Sequence, residues 1–201
     1  MPDNPPLVLA SSSPWRRQLL QRLRLPFECA SPDIDETPQN GEAAPALVQR
    51  LASTKATALT DRFPNHLIIG SDQVATLGDT ILGKPGNHGK ACQQLALCSG
   101  RTVTFHAGLA VHYSASGDTD VMEEIFQVHF RHLSNADIDR YLRIEQPYQC
   151  AGSFQMEGLG IVLFERLEGR DPNALIGLPL IALTDMLARR GLDILARVTA
   201  G

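Results

Sequence analysis

One tryptophan, four cysteines without a CxxC pair, no long apolar run and no excess of positive charge define what this 201-residue chain lacks. No apolar stretch approaches the ~20 residues of a membrane span, and Met1-Pro2-Asp3-Asn4-Pro5-Pro6 is unlike a secretory leader, so a cytoplasmic protein without a membrane partner is expected. The formal net charge of −4 argues against broad attachment to a nucleic-acid backbone, which means that any phosphate ligand must be met locally. Cys29, Cys92, Cys98 and Cys150 show no zinc-type spacing with histidines and no disulfide framework; they are expected to be reduced, mostly buried thiols. His129 and His132, three apart in an expected strand, would face opposite ways and share no metal.

What is present is ordinary globular material. Hydrophobic residues make up 43% and charged residues 20%, with no repeat or low-complexity tract, so one domain over 1–201 is expected. Strand signals occur at 7–10, 27–30, 67–77, 101–113, 121–131 and 160–167, and helical patterns at 13–24, 45–60, 87–98, 134–145 and 178–190. The order predicts an α/β fold with a mixed sheet, in which 101–113 and 121–131 pair as an antiparallel hairpin across Ser114-Ala115-Ser116-Gly117-Asp118. Gly83-Lys84-Pro85-Gly86-Asn87 and 168–173 read as loops, the places where α/β proteins put their sites.

The lone tryptophan raises a question, because Trp15 falls in the polar first turn of a helix beside Arg16 and Arg17. Ser13 is a good N-cap and Pro14 a good first helical residue, so free backbone N–H groups and the fork of Arg16 would meet at a helix end suited to phosphate. A capped helix with Trp15 packed into the core is the alternative. Elsewhere stand an acidic loop, Ser31 to Thr37; a lysine, Lys55, on an amphipathic helix; Asp72 inside the apolar strand that begins Leu67-Ile68-Ile69; and Lys84 in a glycine-proline turn. Singly, each suits a solvated surface. Together they supply what metal-assisted phosphoanhydride cleavage requires, two carboxylates and three cations at element ends.

Five segments carry a resemblance over about 7–190: Leu9 to Arg17, Asp33-Ile34-Asp35-Glu36-Thr37-Pro38, Ile69-Gly70-Ser71-Asp72-Gln73-Val74, Ile81-Leu82-Gly83-Lys84-Pro85 and Gly177-Leu178-Pro179. In that order they closely resemble the Maf family of nucleoside triphosphate pyrophosphatases. The resemblance implies an ITPase-like α/β fold, an elongated mixed sheet flanked by helices, with a cleft between two lobes. It implies hydrolysis between the α and β phosphates with a divalent cation, Mg²⁺ or Mn²⁺. It also maps an SxxR motif to Ser13 and Arg16, the acidic loop residue to Glu36, the helix lysine to Lys55, the proton acceptor to Asp72 and the GKP lysine to Lys84. Glu36 and Asp72 would hold the metal, and the cations would neutralise the polyphosphate.

Three positions depart from members acting on thymidine and uridine triphosphates, where Arg, Thr and Gln stand in place of Trp15, Gln73 and Glu157. The combination resembles the branch specific for 7-methyl-GTP. An indole face attracts the cationic methylated ring by on the order of 0.5–2 kcal/mol, and an ionised Glu157 can accept both donors of the guanine edge. The same resemblance leaves two further readings, a broad scavenger of modified nucleotides and a nucleotide-binding regulator of septum formation. The sequence is also compatible with a homodimer.

Overall fold

A computed structural model describes residues 5–198 of the chain. Seven strands form one mixed sheet: β1 (Leu7–Ala10), β2 (Phe27–Ala30), β3 (Leu67–Leu77), β4 (Thr80–Leu82), β5 (Thr102–Tyr113), β6 (Asp118–Phe130) and β7 (Phe164–Gly169). Their order is β2-β1-β3-β5-β6-β7, with β4 added beside β3. The helices are α1 (Pro14–Gln21), α2 (Ala44–Thr57), α3 (His88–Cys98), α4 (Asn135–Glu145), α5 (Leu180–Arg189) and α6 (Ile194–Arg197). β1 runs parallel to β2 and β3 because α1 and α2 provide the crossovers, whereas β3, β5, β6 and β7 are antiparallel.

Local chemistry sets most of the boundaries. Ser13, Asn87 and Ser134 cap α1, α3 and α4 by accepting from the N–H three residues on. α1 is shorter than the expected 13–24, since the chain leaves the helix after Gln21 and Arg24 turns to φ 54°. β6 begins at Asp118, three residues before its apolar signal, because pairing with β5 continues to the Tyr113↔Asp118 partners. The segment read as a strand from 160 starts as a 3-10 turn, Leu159–Leu163, and becomes β7 only at Phe164. β4 was not expected; it pairs back on β3 through the two-residue turn Gly78-Asp79, with Gly78 at φ 60°. His132 lies beyond the end of β6. Of the four thiols only Cys98 is fully buried, and Cys29 is exposed, contrary to the expectation.

Three apolar clusters pack the sheet. At the β1–β2 end, α1 and α5 cover one face with Leu20, Leu183 and Met186, while α2 covers the other with Ala52 and Ala56. Around β4, α3 and α4, a third core contains Phe105, Phe126, Leu95 and Leu142. β3 and β5 run through both ends. On its outer edge β3 pairs with β1 only through Ile69 and with β4 only from Ala75. Among the described residues, no strand covers the edge from Gly70 to Val74, and this is where the sheet opens.

Two glycines bring α2 down onto that opening. A Cβ at Gly70 would lie 2.0 Å from Ala52 O, and one at Gly108 would lie 2.0 Å from Val48 O. Gly108 is the partner of Asp72 across β3 and β5, so the backbone of α2 rests directly on the strands beside it. The helix can therefore reach Asp72 with Lys55.

Candidate active site

A cleft of about 510 Å³ lies over the open edge of β3. It is lined by all nine predicted site residues: Ser13, Trp15, Arg16, Glu36, Lys55, Asp72, Gln73, Lys84 and Glu157. They come from α1, the acidic loop, α2, β3, the loop after β4 and the segment before β7.

At its centre Lys55 and Asp72 are buried, 5% and 7% exposed. Lys55 Nζ is 2.7 Å from Asp72 Oδ1 and 2.9 Å from Glu36 Oε1. Buried charges persist only when paired, and this ammonium holds two carboxylates at one point. Lys55, expected to neutralise the polyphosphate, lies between the two acids. The acidic loop is tied to α2 so that this contact forms. Arg50, five residues before Lys55, donates Nε to Glu42 Oε1 at 2.6 Å and Nη2 to Glu42 Oε2 at 2.7 Å, and Nη2 also reaches Thr37 O at 3.2 Å. Asp35 is occupied inside the loop, where it accepts from Thr37 N at 2.9 Å.

The α1 end supplies the second feature. Ser13 Oγ accepts from Arg16 N at 3.4 Å, and Arg16 Nε donates to Gly177 O at 2.8 Å. Burial pulls the Arg16 guanidinium below its ordinary pKa, while Asp72 and Glu36 act in the opposite direction, so it remains a cation. Ser71 Oγ lies 2.8 Å from the same Gly177 carbonyl and 2.9 Å from Gly108 O. Gln73 donates Nε2 to Ala174 O at 2.6 Å, so one amide hydrogen serves the C-terminal segment rather than the cleft. That segment is held by Asp171, a fully buried carboxylate that accepts from Asn173 N, Asn173 Nδ2 and Ile181 N at 2.7–2.9 Å. Gly177 and Asp171 were missed as supports. The Gly177-Leu178-Pro179 motif pointed to the first, and nothing distinguished the second from its loop.

The far end of the cleft is built on α4 and aromatic packing. Phe154 makes edge-to-face contacts with Phe105, Phe130 and Phe164, with centroids 4.8–5.6 Å apart. Gln155 N donates to Tyr141 Oη at 3.2 Å, and Leu159 N to Glu145 Oε2 at 2.8 Å, so the turn carrying Glu157 is fastened on both sides. Burial raises the Glu157 carboxyl above its usual range, while N–H groups of Glu157 and Met156 act against the rise. Cys150 sits between the two ends; burial first and Glu157 second push its thiol up, with Lys84 opposing, and it stays neutral. Trp15 is 39% exposed and lines the cleft, which removes the alternative of a core staple.

Glu36 and Asp72 offer hard carboxylate oxygens drawn to one point, a donor set that fits Mg²⁺ or Mn²⁺ completed by phosphate oxygens and water. A second cluster was not foreseen. His88 and Cys92, one turn apart on α3, meet Asp139 of α4 outside the cleft.

No helix of the described residues is long and apolar enough to cross a membrane. The family described as Maf-like protein matches residues 6–190. The solved Ham1 protein of Staphylococcus aureus is similar in fold, with a TM-score of 0.52 at 13% identity over 92% of this chain and 98% of that one. At that identity the likeness carries the architecture alone, a mixed sheet flanked by helices.

Proposed function

The chain belongs to the Maf-like protein family, and from that premise we propose that it is a nucleoside triphosphate pyrophosphatase acting between the α and β phosphates. The observation that carries the reading is the meeting of Glu36, Lys55 and Asp72 at the open edge of β3, inside a cleft that also holds Arg16 and Lys84. A pure binding site for a polyanion has no use for two carboxylates there. A divalent cation held by Glu36 and Asp72 would supply charge neutralisation for the triphosphate and acidify water.

The protein's own groups do the rest. Asp72 takes the proton of the attacking water, with Lys55 fixing its carboxylate in place through Oδ1. Arg16, aimed by Gly177, and Lys84, on its turn, stabilise the charge that develops on the leaving pyrophosphate. The N–H groups at the start of α1 face the same anion.

The preferred substrate in this reading is 7-methyl-GTP. Trp15, half-exposed on the cleft wall, stacks on the methylated ring, and Glu157 accepts its two edge donors. Burial raises the Glu157 carboxyl, and a cationic base beside it would favour the ionised form. A panel of 7-methyl-GTP, GTP, dTTP and UTP, with pyrophosphate release followed in Mg²⁺ and in Mn²⁺, tests both levels. Release from none of them sinks the enzyme assignment, and equal release from all replaces the specific reading with a broad scavenger.

A further inference from the structure

We propose that His88, Cys92 and Asp139 form a second metal site, separate from the cleft and suited to Zn²⁺ or a similar transition ion. One donor atom from each lies within 4.8 Å of the others. His88 and Cys92 are four apart on α3 and so share a face of the helix, and Asp139 comes from the facing α4. All three are partly exposed, which leaves an entry path for an ion.

The donor chemistry differs from that of the cleft. A thiolate, an imidazole and one carboxylate select zinc-like ions, whereas the two oxygens of Glu36 and Asp72 suit Mg²⁺ or Mn²⁺. Bonds of 2.0–2.3 Å in a tetrahedron put ligand atoms about 3.3–3.8 Å apart. The His88 Nε2 to Asp139 Oδ1 contact of 2.9 Å therefore opens slightly, and the other donor separations, all within 4.8 Å, need to close by at most about an ångström. A water would complete four-coordination.

Both non-sulfur ligands already have outer partners. His88 Nδ1 lies 3.1 Å from Tyr148 Oη, which orients the ring with Nε2 towards Asp139. Arg143 Nε donates to Asp139 Oδ2 at 2.7 Å, leaving Oδ1 as the inward oxygen. Partners of this kind fix ring and carboxylate orientation at metal sites.

Occupancy would fasten α3 to α4. Through Tyr148 it would also steady the stretch leading to Gln149 and Cys150, which line the cleft, and the Lys84 turn, whose Gly86 N donates to Tyr148 O at 2.9 Å. The bound ion thus acts as a structural clamp behind the site and takes no part in its chemistry.

Full-length protein, stripped by chelation, is titrated with Co²⁺ in buffer containing excess Mg²⁺. One equivalent is expected to produce a thiolate-to-cobalt absorption band that Zn²⁺ removes. Cys92→Ser and His88→Gln each abolish the band, so one decides if the other fails to fold, and Asp139→Asn weakens Co²⁺ binding at least tenfold. Cys150→Ser, Cys29→Ser and the cleft variant Glu36→Gln keep the band, which separates this site from the pyrophosphatase reading. Zn²⁺ raises the melting temperature of the parent and not of Cys92→Ser. The site is overturned if the parent gives no band, if the band survives Cys92→Ser, or if Cys150→Ser removes it.

Discussion

Arg16 and Gly177, 161 residues apart in the chain, are joined by a 2.8 Å hydrogen bond from the guanidinium Nε to the backbone carbonyl. The bond leaves the terminal nitrogens of Arg16 to the cleft and fixes their direction with backbone rather than with a side chain. Gly177 holds φ at +113°, and a Cβ there would lie 3.3 Å from Arg16 Nε. Gly177→Ala introduces strain of about 1–3 kcal/mol and displaces the guanidinium. Turnover should fall about tenfold for every triphosphate alike. Unchanged turnover, with only a lower melting temperature, would show that Arg16 does not depend on this carbonyl.

Asp72→Asn keeps the shape of the side chain and removes its basicity. Turnover should drop by about 10² or more with the fold retained. Lys55→Met is the harsher change, because it leaves Asp72 buried without its cation. Breaking a pair of this kind costs about 3–5 kcal/mol, read as a lower melting temperature; Asp72→Asn should cost less, because Lys55 keeps Glu36 at 2.9 Å and the amide oxygen still accepts. Activity of Asp72→Asn within a few-fold of the parent removes Asp72 from the chemistry.

Gly70→Ala asks whether the approach of α2 controls the site. Its methyl would meet Ala52 O and Ala56 N, at 2.0 and 2.9 Å, so the helix must lift. A stability loss of about 1–3 kcal/mol is expected, together with a fall in turnover because Lys55 leaves Asp72. Stability lost with turnover intact would mean that the seat of the helix and the ion pair are independent.

Trp15 is the only tryptophan, so its fluorescence tests the proposed contact with the base directly. In the Asp72→Asn protein, 7-methyl-GTP should quench the indole more strongly than GTP at equal concentration. Glu157→Gln should narrow that difference while phosphate binding persists. Identical ranking of nucleotides by parent and variant would make Glu157 a structural residue.

Acid should loosen the acidic loop through Glu42. Hydrogen bonds from Arg50 first, then from Gln39 N, hold its carboxyl at about 2 against an ordinary 4.5. Between those values the unfolded chain takes up a proton that the folded chain refuses. The stabilisation is therefore complete above about pH 4.5 and disappears as pH falls towards 2. Comparing the melting temperatures of the parent and Glu42→Gln from pH 6 to pH 2 should give a constant gap that narrows only below about 4.5. A gap that stays constant to pH 2 would show that Arg50 does not secure the loop.

Much of this was legible because local chemistry wrote it. Ser13 and Pro14 start α1 in sequence and in structure, and the apolar run at Leu67 yields β3 with Asp72 buried in it. What escaped depends on distant partners. β4 is three residues long and is held by its pairing with β3, and the polar start of β6 is strand only because β5 lies beside it. The contact of Lys55 with Glu36 and Asp72 was not legible, because nothing in a sequence reveals that α2 sinks onto Gly70 and Gly108. His88 and Cys92 stood at helical spacing, yet Asp139, 51 residues from His88, completes their cluster only after α3 and α4 pack.

The pairing of β3 with β5 runs unbroken from Leu67 to Thr76, beneath both ends of the cleft. Asp72 thus stands within one continuous ladder that underlies both ends of the cleft. The turn around Glu157 and the first turn of α1, proposed to hold the base, lie outside that ladder. In the proposed reading the groups for the base and the group for the water stand on different elements, so a lineage could exchange one nucleobase for another without touching Asp72.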